Sequence, residues 1–217
     1  MSEFASVNDV HIVKGTITLP NRGCWHADLW LNIAGDVANP VSLVIGDLTM
    51  KATVFRSASY TGALSVRIVG GAGGWRQVID PRGYGGCPAS VVLNDAARTV
   101  GETVSLERDT SLNAFVRERG PASRVIAQLF PLLAPSWWIQ PDGTTRIGTR
   151  DTSPIGSAFQ ALNYAGANGK IEVVPESFAD WMPGRTFSTP AISTKTISAV
   201  QHTIGEGKIQ TDVLITP

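Results

Sequence analysis

"RIVGGAGGWRQVI", residues 67 to 79, sets four glycines in five positions between two runs rich in β-branched residues. It is either a phosphate cradle opening the helix of an α/β protein or a bend joining two strands of a β protein. A P-loop follows G-x-x-x-x-G-K-[ST], with a lysine for the phosphates and a hydroxyl for the metal. Here Gly74 runs into Trp75 and Arg76, so neither is supplied. The dinucleotide pattern G-x-G-x-x-G fails as well, because counting on from Gly71 and Gly73 puts Arg76 where the third glycine belongs. No helical pattern follows. Trp75 to Ile79 reads as a strand, and Gly70 to Gly74 as a bend whose glycines take positive φ at no steric cost. Trp75 is then its anchor, in the core or at an interface, and no nucleotide cofactor is expected.

Upstream, the same β signals recur in "VHIVKGTITL", "CWHADLWLN", "VSLVIG", "LTMKATVFRSASY" and "ALSVRIVG", parted by breakers such as Pro20-Asn21-Arg22-Gly23 and Asn39-Pro40. Trp25, Ala27, Leu29 and Leu31 alternate with His26, Asp28 and Trp30, the period of a half-buried strand. Residues 1–80 therefore predict a β-barrel-like domain.

Downstream the period changes. Leu93, Ala96, Ala97 and Val100 form a helical stripe from Ala89 to Val100, with Gly101 placed to end it. After the strand-like "ETVSL", a second helix is expected from near Pro121, with Val125, Ile126, Leu129 and Leu133 on one face and Pro131 and Pro135 limiting its length. Residues 81–135 thus read as a helix pair with connections. From 136 to 217 strands return: "SWWIQ", a turn at Pro141-Asp142-Gly143, "TTRIGTR", "FQALNYA", a turn from Gly166 to Gly169, "KIEVVP", then "AISTKTISAVQHTI", the turn "GEGK" and "IQTDVLIT". The fold class is mainly β with a short helix pair, α+β, and two β-barrel-like parts.

Composition narrows function. Lys plus Arg number 18 and Asp plus Glu number 18, so no global field draws the 217-residue chain to nucleic acid or an anionic membrane. Charged residues are 17% of the chain, below the ~25% usual for globular domains, which suits a surface partly covered by other subunits. Two cysteines, Cys24 and Cys87, are too few for a disulfide framework. "MSEFASVNDVHIV" lacks the basic flank and apolar core of a signal peptide, and no stretch approaches ~20 apolar residues. The expectation is a chain assembled in the cytoplasm, with no membrane span.

Chemistry finds little footing. No serine sits in G-x-S-x-G, and His11, His26 and His202 each fall in an alternating strand, where an outward surface or interface role is expected. Cys24 and His26 share a strand face and His11 stands as a third ligand candidate, yet H-E-x-x-H and C-x-x-C are absent, so no metal site is expected. Asp109, Glu118, Asp142, Glu172 and Glu176 are nominal glycosidase acids, but solvated loops and strand faces explain them as well. Six tryptophans fit sugar stacking or interfaces, and no basic cluster surrounds them to favour nucleic acid. Trp137 and Trp138 point to opposite faces of one strand; Trp138 is expected inside, with Ile139 turned outward.

In arrangement the chain resembles the tail hub proteins of phages and related injection machines, the late-control protein D family. "SVVLNDAARTVGETV" resembles the first short helix of that family, ending in glycine. "ASRVIAQLFPLLAPSWWIQPDGTTRIGTR" resembles its second helix running into a strand, a D-G turn and a strand. "WMPGRTF" and "ISAVQHTIGEGKIQTDVLI" resemble the Pro-Gly and the closing hairpin. The resemblance covers about residues 88 to 217; the first 80 agree only in being strand-rich. It implies a ring-forming baseplate hub of the virion tail, partnered by copies of itself and by tube, spike or neighbouring tail proteins, without catalytic residues or cofactors. Trp30, Trp75, Trp137 and Trp138 are then the interface candidates. Two other readings stand beside it: a carbohydrate-binding or host-recognition tail protein, and a small cell-wall hydrolase.

Overall fold

The computed structural model describes residues 5–165, 169–190, 192–205 and 207–215. The expected turns at Gly166–Gly169 and "GEGK" fall partly outside them. Six strands open the chain: β1 (Ala5–Val7), β2 (Val10–Pro20), β3 (His26–Leu31), β4 (Val41–Ile45), β5 (Leu48–Tyr60) and β6 (Ala63–Gly70). They pair in the order β1-β4-β5-β6-β3-β2, and β2 returns to β1, so the barrel is closed. Alternate residues fill it: Trp25, Ala27, Leu29 and Leu31 are at most 3% exposed, as are Leu43, Met50, Leu64 and Ile68. β2 changes partner along one edge, bonding β1 at Val10 and His11 and another strand from Gly15 to Pro20. A register shift between Ile12 and Lys14 accompanies the change.

The glycine loop does not continue as a strand from Trp75. Gly74–Arg76 is one turn of 3₁₀ helix, and only β7 (Val78–Ile79) is extended. The cause is an anion inside the protein. Gly71 and Gly73 take left-handed conformations, φ 77° and 75°, which turn successive backbone N–H groups inward. Gly74 N–H donates to Glu102 Oε1 at 2.7 Å and Ala72 N–H to Oε2 at 3.2 Å. Trp75 is 3% exposed, and its Nε1 donates to Thr145 Oγ1 at 2.8 Å. The loop is therefore both bend and cradle, and the cradled group is the chain's own carboxylate.

The middle of the chain holds β8 (Arg82–Pro88), α1 (Ala89–Thr99), β9 (Val104–Leu106), β10 (Ser111–Arg117), β11 (Gly120–Pro121), α2 (Ser123–Leu133), β12 (Ser136–Ile139) and β13 (Thr145–Gly148). The helical stripes fall where the periodicity put them: Leu93, Ala96 and Ala97 are buried on α1, and Val125, Ile126, Leu129 and Leu133 on α2. α1 ends at Thr99 with Val100 as its cap, and Gly101, φ 72°, turns the chain to deliver Glu102 to the loop. Pro121 is not in the first turn of α2. It pairs with Val78, and Ala122 is the N-cap. Pro131 lies within the last turn of α2, where only Leu132 and Leu133 follow it. β8 and β10 form a two-stranded ribbon tied to α1 through Asp95, whose carboxylate accepts from Tyr84 (2.5 Å), Arg82 (2.6 Å) and Arg117 (2.8 Å).

β14 (Phe159–Ala165), β15 (Lys170–Pro175), β16 (Thr186–Thr189), β17 (Ile192–Gly205) and β18 (Lys208–Ile215) complete the fold. They pair as β14-β15-β18-β17, with β16 on β17. Trp181, 0% exposed, packs between Phe159 and Phe187. β17 runs antiparallel to β2, from Ala199 opposite Pro20 to Ile204 opposite Gly15. This seam makes one sheet of the first and last thirds of the chain.

His202 lies at the seam, and it does not face outward as expected. β17 is paired on both edges here and its Val200, His202 and Ile204 face inward. The imidazole is 0% exposed, its Nδ1 lies 3.0 Å from Thr211 Oγ1, and its ring edge meets Phe178.

Two outcomes are expected. Glu102→Ala strands buried loop N–H groups and should cost about 1–3 kcal/mol in chemical denaturation; a change under about 0.5 kcal/mol, typical of inert surface sites, would overturn the cradle. Burial pushes the His202 pKa down to about 4 from the usual 6.5. The unfolded chain thus takes up a proton that the folded one refuses, so stability falls as pH drops from 6.5 towards 4, by on the order of 3 kcal/mol. Melting curves of wild type and His202→Gln across that window should show a shallower decline in the variant; parallel declines would refute the assignment.

Candidate functional site

The tryptophans nominated as contacts occupy different environments. Trp30, on β3, is half-buried on the outer face of the barrel, its ring 5.0 Å from that of Tyr60, with Lys14 Nζ 5.0 Å from its centroid. Trp75 is core. On β12 the face holding Ile139, 4% exposed, is the inner one, and Trp137 packs against the core beside it. Trp138, expected inside, is on the opposite face. Gly23 N–H bonds the Trp137 carbonyl at 2.8 Å, tying β12 to the barrel at that point.

Trp138 is sandwiched from outside by Arg150, whose guanidinium carbon lies 4.2 Å from the ring centroid. Arg150 Nε donates to the Asn21 carbonyl and Nη2 to that of Pro20, at 3.0 and 2.9 Å. Burial pushes its pKa down to about 10, and no carboxylate pairs with it among the described residues. The two side chains line a cleft of about 210 Å³ with Leu19, Trp25, Met50 and Met182, where the barrel, the middle segment and the last strands meet.

The candidates for chemistry are not brought together. His11 is exposed and His26 half-buried on the barrel surface, while His202 is in the core. Cys24 is half-buried, and its thiol pKa is pushed up to about 11, chiefly by burial and then by Glu102. Such a thiol stays protonated and is a poor nucleophile or ligand. Both cysteines are free. No group of three or more His, Cys, Asp or Glu is placed to hold a metal among the described residues.

Four of the five nominated carboxylates have local work. Asp109 accepts from Ser90 and Thr110 N–H at the start of α1. Asp142 accepts from Thr144 N–H in its turn, and Glu176 from Ala158 N–H. Glu118 pairs with Arg124 at 3.1 Å, and Glu172 lies in a strand opposite Asp212. Sequence patterning passed over the two side chains with the most structured surroundings, Glu102 and Arg150, because neither belongs to a local motif; their partners lie at residues 72–74 and at 20, 21 and 138.

No family model and no curated protein matches the sequence. Solved structures do match the fold. The tail protein of Neisseria meningitidis superposes with a TM-score of 0.70 at 13% identity, over 98% of this chain and 96% of that one. The 43 kDa tail protein of prophage MuSo2 from Shewanella oneidensis gives 0.67 at 9% identity, over 94% and 93%. An E. coli component of the type VI secretion system, itself structurally similar to the bacteriophage T4 tail proteins gp27 and gp5, gives 0.68 at 8% identity, over 98% and 76%. At these identities the likeness is one of fold: almost the whole chain has the mainly β architecture of phage tail proteins.

Proposed function

We propose that the chain is a non-enzymatic structural subunit of a phage-like tail, a baseplate or tail-tip hub that repeats as a symmetric ring and joins the tail tube to a spike or to neighbouring tail proteins. The observation that carries this reading is the correspondence of fold with tail proteins over 94% to 98% of this chain. In this reading residues 1–80 are a barrel-like domain, 81–135 a helix pair with its connections and 136–217 a second barrel-like part, the partners are copies of the chain and adjoining tail proteins, and its place is the virion tail, after assembly in the host cytoplasm.

The surface supports it. Charge is sparse, and the acids that a hydrolase would need are spent on caps, turns and ion pairs. Large apolar side chains stay in solvent, among them Tyr60 (56% exposed), Val116 (67%) and Leu132 (65%). A subunit built for contact keeps such residues.

Mass spectrometry of purified tail particles should find the chain, and particles from a deletion strain should lack their tip. Trp30→Ala removes a ring whose neighbours are Tyr60 and Lys14, so folding should change by about 1 kcal/mol or less. Its incorporation into particles should fall about tenfold or more if Trp30 is a contact hot spot. Absence of the chain from particles, peptidoglycan turnover by the purified protein, or glycan binding lost with Trp30 would each overturn the proposal.

A further inference from the structure

Eight strands run without a break in the order β14-β15-β18-β17-β2-β3-β6-β5. Every neighbouring pair in this run is antiparallel. Both ends of the run are open. β14 bonds β15 on one edge only, and its sequence FQALNYA contains no charge and no proline. Residues 160–164 are exposed on both faces, with Leu162 at 52% and Tyr164 at 47%. At the other end β4 covers β5 only from Leu48 to Ala52. Beyond that point β5 bonds β6 alone, while the side chains of Asn39 and Asp36 reach Val54 N–H and Ser57 Oγ. Residues 55–60 are exposed on both faces, including Phe55 at 45%.

Proteins that keep a strand edge free of partners protect it with lysine, proline or a covering segment. β14 has none of these among the described residues, only a bulge between Ala161 and Asn163; on β5 the segment of Asp36 and Asn39 touches the edge at Val54 and Ser57, and Arg56 is the single charge in residues 54–60.

We infer that β14 of one copy of this chain pairs antiparallel with the outer half of β5 of the next, so that the sheet continues across each subunit boundary. Three features favour a second copy as the occupant. The two edges are different surfaces at opposite ends of one sheet, and joining unlike surfaces head to tail generates rings, whereas a twofold dimer would join like to like. Eight is an even number of alternating strands, so β5 and β14 run in opposite directions. A rotation about an axis along the strands preserves those directions, and the junction is then antiparallel like every pairing inside the chain. The segments are also of similar length, seven residues in β14 against residues 53–60 of β5, and oppose no like charges. The inference rests on the ring of the proposed function and names the contact that builds it.

The test uses the full chain with Cys24→Ser and Cys87→Ser, carrying Ala58→Cys on β5 and Ala161→Cys on β14. Mild oxidation should give a ladder of covalent oligomers only when one chain carries both new cysteines, and a mixture of the two single variants should stop at the dimer. Absence of a ladder up to millimolar protein, or a dimer from Ala161→Cys alone, would overturn the inference. Separately, Leu162→Lys with Tyr164→Lys should leave circular dichroism and melting unchanged while weakening self-association at least about tenfold; unchanged association would also overturn it. Chain recovered in tail particles without cross-links refutes this contact and leaves the tail reading standing, whereas ladders without recovery in particles do the reverse.

Discussion

β2 changes partner halfway along its length, and the architecture depends on that exchange. Its first residues close the barrel against β1, and from Gly15 onward the same edge takes up β17. A strand that stayed with β1 throughout would complete the barrel and leave β17 bare along the stretch where it now meets β2. Because it leaves, the six-stranded barrel is closed at one end, while at the other its sheet runs into the last strands of the chain. β17 makes the reciprocal exchange, meeting β16 through Thr196 and Lys195 and β2 from Ala199 onward, with a register shift near the changeover. Backbone hydrogen bonds and the apolar residues beneath them therefore couple segments some 180 positions apart, and their melting should be cooperative.

The barrel strands were legible because each has one wet and one dry face, so a period of two survives in the sequence. β5 and β6 begin and end where the alternation and the glycines place them. The helical stripes were legible for the same reason at a period of 3.6. Failures cluster where a residue's environment is set by something distant. His202 shares its strand face with Val200 and Ile204, so the alternation itself pointed inward; only its polarity argued for an outward place, and Thr211 on the neighbouring strand is the partner that lets the ring be buried. Trp138 and Trp137 are equivalent in sequence, and only the folded chain separates them, with the core beneath one and Arg150 over the other. The stretch after Gly74 looked extended because its carboxylate partner is 28 residues downstream. Of the contact candidates, the aromatic residues could be found from composition, but the bare edge of β14 could not, since an edge is a property of strand order.

The middle segment rides on this framework more than it builds it. α1 and α2 bury one face each, and the ribbon of β8 and β10 is held through the Asp95 cluster and through Tyr84, Cys87, Leu112 and Phe115, which pack against the core. Burial alone would raise the Asp95 pKa, but Tyr84, Arg82 and Arg117 together bring it below the ordinary value, and Tyr84 is in turn pushed up to about 12 by burial and by that carboxylate. One half-buried acid thus ties a two-stranded ribbon to α1.

The loop around Glu102 has a consequence for how such chains diverge. A run of left-handed glycines is tolerated in a protein only while something rewards the shape, and here the reward is a single carboxylate supplied by the end of α1. Loss of the acid would leave the glycines with their entropic cost and no compensation, and loss of the glycines would leave the acid buried without donors. Neither half is useful without the other, so the two should be inherited and discarded as one unit, even among relatives whose remaining sequence has drifted beyond recognition.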